Sequence, residues 1–125
     1  MKKHYKQMNK AEKIFLREKV NAVDKWNFAG HALRAMSERN ITKEEVIDAI
    51  DKYAIVEFND NNSEARILIR GHGVFGDCNI CCVTAPKLKT IITVYFNHIL
   101  DEHYTLDITK YNEKMDIYKM YPKLS

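Results

Sequence analysis

The chain of 125 residues contains no apolar run near the ~20 residues that a bilayer-spanning helix requires. Its opening, MKKHYKQMNKAEKIF, is basic but has no apolar stretch behind it, so a secretory leader is not expected either. The cysteines number three, Cys78, Cys81 and Cys82, an odd count crowded into one segment. That is poor material for a disulfide framework and suits free thiols in a reducing compartment, so a cytoplasmic protein with no membrane contact is expected. Repeats and low-complexity tracts are absent, and the length leaves room for one domain with a single core. Two further absences limit the chemistry. The Cys78-x-x-Cys81-Cys82 group, even with His72, His98 or His103, lacks the second cysteine pair of a zinc module, and free cysteines within a strand commonly serve as small buried apolar residues. The loop GHGVFG lacks the lysine and following helix of a phosphate-binding loop and reads as a hairpin tip. No cofactor and no metal are expected.

What is present is 46% hydrophobic and 30% charged, with a net charge of +3. The charge is uneven: residues 1–25 carry eight Lys/Arg against three Asp/Glu, whereas residues 26–100 carry eight against nine. The surplus is a basic N-terminal helix face, either simply solvated or in contact with phosphates. Leu16, Val20 and Val23 at helical spacing predict the first amphipathic helix within residues 1–25. A second is predicted from Ala29 to Arg39, with Ala29, Leu33 and Met36 buried and His31, Arg34 and Glu38 on the other side. Thr42 and Glu45 form a T-x-x-E capping box that opens a third, burying Val46, Ala49, Ile50 and Tyr53.

From Ala54 onward the pattern becomes β-branched and aromatic. AIVEF, ARILIR, NICCVTA and KTIITVYFN each have the length of a strand, separated by NDNNSE, GHGVFGD and PKLK as turns. Short connections favour an antiparallel meander. Ile108, Tyr111, Met115 and Tyr118 then predict a closing helix. The expected class is α+β: N-terminal helices, a four-stranded antiparallel sheet and a C-terminal helix. The single domain 1–125 divides into a basic helix at 1–25, a core at 27–98 and an extension at 100–125. The apolar stripes of the first and last helices are expected to pack on the domain's own core, which favours a monomer over a homodimer.

The order His31-Ala32-Leu33, Met36, Arg39, Ile41-Thr42, the strand RILIRG and the strand IITVYF resembles a family of small phage, plasmid and toxin-cassette domains of unknown function. That family is grouped with the barnase, EndoU, colicin and RelE-type ribonucleases, and the resemblance covers roughly residues 27–97. It implies a RelE/barnase-like fold and metal-independent RNA cleavage, in which a 2′-hydroxyl attacks the adjacent phosphate and leaves a cyclic phosphate. Such chemistry needs a group that moves protons near neutrality, guanidinium groups on the phosphate and hydroxyl donors. His31 on its helix, Arg66 and Arg70 on one strand, and Thr93 and Tyr95 on another can supply them. By alternation Arg66 and Arg70 share a face, as do Thr93 and Tyr95. The family pattern carries an arginine one turn after the histidine, where this chain has Ala35. Either the neighbouring Arg34, turned ~100° around the helix, replaces it, or the fold serves as a non-catalytic binding or regulatory domain. The implied partners are RNA, or a protein such as an antitoxin or regulator.

Overall fold

The computed structural model describes residues 1–103 and 110–125. The fold is α+β, with a mixed six-stranded sheet in the order β1-β3-β4-β5-β6-β2. The four strands predicted from β-branched runs form its centre: β3 (Tyr53–Asn59), β4 (Arg66–Gly71), β5 (Cys78–Ala85) and β6 (Thr90–His98), each antiparallel to the next. Two short edge strands correct the expected count of four. β1 (Lys2–His4) pairs antiparallel with β3, and β2 (Asn27–Phe28) pairs parallel with β6. The chain therefore enters the sheet before its first helix, and the helices do not simply precede the strands.

Three helices cover one face of the sheet. α1 (Lys10–Asn21) is capped by Asn9 and Glu12, and α3 (Lys43–Asp51) opens on the predicted box, with Thr42 Oγ1 accepting from the Glu45 amide at 3.1 Å. α2 (Gly30–Arg39) buries Ala32, Ala35 and Met36, while Leu33 is 43% exposed, so its buried stripe is turned from the expected Ala29–Leu33–Met36. The small side chains let α2 pack closely on β6, where Ile91 and Val94 complete the same core. Tyr53, expected in the α3 stripe, instead begins β3.

β1 holds its place by unusual means. Lys3 points into the helix side, where its Nζ meets both carboxylate oxygens of Glu12, at 3.0 and 2.9 Å, and the Met115 carbonyl at 2.9 Å. Among the described residues the C-terminal segment forms no long helix. A single turn, α4 (Ile117–Met120), follows Met115, and Met115, Ile117 and Tyr121 join Leu16, Val20 and Phe58 in the helix-side core. Leu16, Val20, Met115 and Tyr121, from the two ends of the chain, are thus covered by its own core. Tyr118 is 43% exposed, Tyr111 is buried, and Ile108 lies outside the described residues. Among the described residues no helix is long and apolar enough to cross a membrane.

Candidate functional site on the open face of the sheet

Strand alternation sends Ile67, Ile69, Ile80, Cys82, Ile91 and Val94 to the helices and leaves Leu68, Arg70, Asn79, Cys81, Val83, Thr93, Tyr95 and Asn97 on the other face. A bulge between Ile55 and Glu57 brings Val56 to that second face, beside Leu68 and Cys81. Arg70, Cys81 and Tyr95 lie in one cross-strand row, with Asn79 and Asn97 paired in the next.

The chain after β6 turns back over these rows, and His103 is set down on them with a positive φ of 59°. Its Nε2 lies 2.8 Å from the Tyr95 hydroxyl and 2.7 Å from the Asn97 carboxamide nitrogen, and its Nδ1 lies 3.0 Å from Arg70 Nη2. Arginine has only donors, so Nδ1 accepts; the neutral ring then carries its proton on Nε2, between the Tyr95 oxygen and the Asn97 carboxamide, and that carboxamide meets a protonated Nε2 through its oxygen end. Burial, then the Arg70 cation, pushes the His103 pKa down to about 4, which keeps the imidazole neutral. Burial raises the Tyr95 hydroxyl well above its usual range, so it remains a protonated donor.

Arg70 is anchored by the same segment. Nη1 donates to Asn79 Oδ1 at 3.0 Å and to the His98 carbonyl at 3.1 Å; Nη2 also donates to the Asp101 carbonyl. Asn79, itself buried, uses its other end to donate to the Gly73 carbonyl at 2.9 Å and so fixes Arg70 to the hairpin behind it. Asp101 accepts from the His103 amide at 2.9 Å, which holds its carboxyl below the usual range. Farther along, the Glu102 carbonyl lies 2.7 Å from Nε2 of the buried His4, and Lys6 pairs with the Glu102 carboxylate at 2.5 Å. A groove of about 380 Å³ runs beside this strap, lined by Tyr5, Val56, Arg70, Ile99 and Glu102 among others.

Of the six residues singled out in the sequence, the structure joins two, Arg70 and Tyr95, through His103. Thr93 stands one row away on the same face, next to Val83. Arg66 shares the face by alternation, but its Nε and Nη2 hold Glu64 Oε2 at 3.0 and 2.8 Å. His31 and Arg34 are not part of the assembly: they are exposed on α2, which packs against the opposite face of β6. Ala35, where the resemblance leads one to expect an arginine, is 4% exposed against that core. The cysteines are divided likewise. Cys82 lies on the helix side, Cys81 on the open side and Cys78 at the hairpin, and burial raises the Cys81 and Cys82 thiols to about 11 and 12. Among the described residues no group of three or more His, Cys, Asp or Glu side chains is placed to hold a metal ion.

Sequence reading missed His103, Asn97 and Asn79 as site residues. Asn97 continued the period of two set by Thr93 and Tyr95, and that signal was available. Nothing local marked His103, which reaches the site only because the strap crosses the sheet.

The family model of a domain of unknown function, DUF4258, matches residues 28–96, from β2 to near the end of β6. No curated protein and no solved structure matches the chain. The matched segment contains Arg70 and Tyr95 and stops short of Asn97 and His103.

Proposed function

Because the chain belongs to the DUF4258 family, itself of unknown function, we propose on the chemistry of its open sheet face that it is a ribonuclease-like effector of RelE/barnase type, cleaving RNA without a metal ion. The observation that carries this reading is the neutral imidazole of His103 held between a guanidinium, at 3.0 Å, and a phenol, at 2.8 Å. When an RNA phosphate takes Arg70, Nδ1 of His103 is released as a base. It accepts the proton of the 2′-hydroxyl as that oxygen bonds to phosphorus. Arg70 binds the phosphate oxygens on which charge accumulates, and the Tyr95 hydroxyl donates to one of them. The bond to the 5′-oxygen breaks, that oxygen takes a proton from a water molecule, the hydroxide so formed takes back the proton held by His103, and a 2′,3′-cyclic phosphate remains. Thr93 and Asn97 are the further polar groups within reach along β6.

The experiment is incubation of the purified chain with total RNA in chelator, with the product ends analysed. Cyclic phosphate ends that vanish in His103→Gln and Arg70→Lys but persist in His31→Ala support the reading. Intact RNA at high protein concentration, or cleavage indifferent to His103, removes it.

A second reading has its own observation: both Nη groups of Arg70 donate to the chain itself. A guanidinium committed in this way suits a binding or regulatory domain on the same fold. A salt series separates the two, since a domain that binds RNA through the basic face of α1 weakens steeply with salt without producing cleaved ends.

A further inference from the structure

We propose that the hairpin end of the sheet is a docking surface for a partner protein, which it receives as an amphipathic segment carrying basic residues among apolar ones. This surface adjoins the strap that closes over the open-face site, with Ile99 shared between them, and its argument does not depend on the assignment of that site. The loop between β4 and β5 exposes Val74 at 62% and Phe75 at 38%, and the end of β6 exposes Phe96, Ile99 and Leu100 at 36, 46 and 79%. These belong together. The Phe75 and Phe96 rings lie 6.0 Å apart, Cys78 is in register with His98, and the Ile99 amide donates to the Asp77 carbonyl at 2.8 Å. Isolated exposed apolar side chains are ordinary, but this many in one place mark an interaction surface. A small hollow beside Phe75, floored by Gly71 and Gly73, offers a seat for an inserted side chain.

The rim gives the sign of the partner. Asp77 stands between the two exposed segments, and Glu45 and Asp48 of α3 line the hollow. Arg70 is turned inward onto Asn79 and the strap, and Lys52 meets the hairpin through its backbone carbonyl, which accepts from the His72 amide at 3.0 Å. An acidic rim on a chain of net charge +3 runs against the bulk composition. It repels phosphates and favours Lys or Arg around an apolar anchor, the usual arrangement of a desolvated centre with a complementary charged edge.

The test uses the full chain and two fluorescently labelled helical peptides of equal hydrophobicity, one built of Leu and Lys, the other of Leu and Glu. The Leu/Lys peptide is expected to bind with a Kd in the ~10 μM range or tighter, and the Leu/Glu peptide not to bind. Val74→Ser with Leu100→Ser, both at exposed positions, is expected to weaken binding at least about tenfold with the melting temperature unchanged. Asp48→Lys with Asp77→Lys is expected to reverse the peptide preference. Absence of binding at ~100 μM, equal binding of both peptides, or full affinity in the serine variant would overturn the proposal. Light scattering that finds a doubled mass, lost in the serine variant, would overturn it as well, by making a second copy the occupant.

Discussion

Arg70 and His103 meet side chain to side chain, Nη2 to Nδ1 at 3.0 Å, across a sequence separation of 33 residues. One contact therefore fixes the tautomer of the histidine, the direction of its bond to Tyr95 and the path of the strap over the sheet.

The first prediction follows from the charge on that contact. In an NMR titration the His103 ring is expected to stay neutral down to about pH 4. In Arg70→Ala the midpoint moves up but stays below that of a free imidazole, because burial is the larger cause of the depression and remains. The same variant is expected to lose roughly 1–3 kcal/mol in urea unfolding, since the Asn79, His98 and Asp101 oxygens lose a charged donor. An unmoved midpoint would mean that Arg70 does not face the ring in solution.

Stability carries the same signature in pH. The folded chain binds a proton at His103 only near pH 4, whereas the unfolded chain does so near the ordinary value of 6.5. Between those values the unfolded state holds more protons. Its contribution is therefore fully present above pH 6.5 and is lost as the pH falls toward 4. The loss is expected to be about 1–2 kcal/mol after allowance for partial exposure of the ring. His103→Gln flattens the curve in that window. His4, whose pKa is lowered by burial first, keeps a residual slope of the same sign.

The sequence made part of this visible. Thr42 and Glu45 announced the start of α3 because a cap is a local exchange of hydrogen bonds. The four central strands were legible because β-branched runs between polar turns need no distant partner to be recognised. β1 was not: Lys-Lys-His has no strand propensity, and Lys3 is buried only because Glu12 and the Met115 carbonyl receive it. In α2 the size of Leu33 outweighed the small residues Ala32 and Ala35, yet close approach to β6 favours the small ones. The tail reads as helical because Ile108, Tyr111, Met115 and Tyr118 keep helical spacing, but Tyr111 and Met115, both buried, belong to separate contacts, Tyr111 with the His103 carbonyl and Met115 in the helix-side core. Arg70 and Tyr95 were within reach of alternation, whereas the residue that joins them arrives by a connection that no local pattern encodes.

A third prediction concerns the junction of α3 with the sheet. A Cβ at Gly71 would stand 2.6 Å from the Ala49 Cβ and 2.9 Å from its Cα, closer than packing permits. Gly71→Ala is expected to cost about 1–3 kcal/mol as α3 is pushed from β4. Ala49→Gly removes the contact at 2.6 Å, though not the one at 2.9 Å, at its own helix cost of about 1 kcal/mol. The double variant should therefore be more stable than the sum of the two single losses predicts. Simple additivity in thermal melts would show that the two residues do not touch.

The fourth prediction tests the buried pair of β1 and α1. Lys3→Ala is expected to destabilise by roughly 3–5 kcal/mol, because the Glu12 carboxylate is left buried without its cation. Replacing both partners, Lys3→Met with Glu12→Leu, is expected to cost less than either single truncation. A residual loss remains, since Glu12 Oε1 also accepts from the Asn9 amide at 3.1 Å. A double-mutant cycle in denaturant reads the coupling directly.

The contact between Lys3 and the Met115 carbonyl spans 112 residues of chain, while β3 to β6 are joined by short turns. Closing a long loop is entropically costly and is compensated only once both ends have a surface to land on. The central meander with α2 and α3 is therefore expected to form the folding nucleus, with β1 and the C-terminal turns attaching to it afterwards. Weakening the Lys3 anchor then accelerates unfolding and leaves the folding rate almost unchanged, whereas damage at the Gly71–Ala49 junction slows folding itself. On this expectation the residues that hold the two ends of this chain in place govern how long the native state lasts, and those in the middle govern how soon it forms.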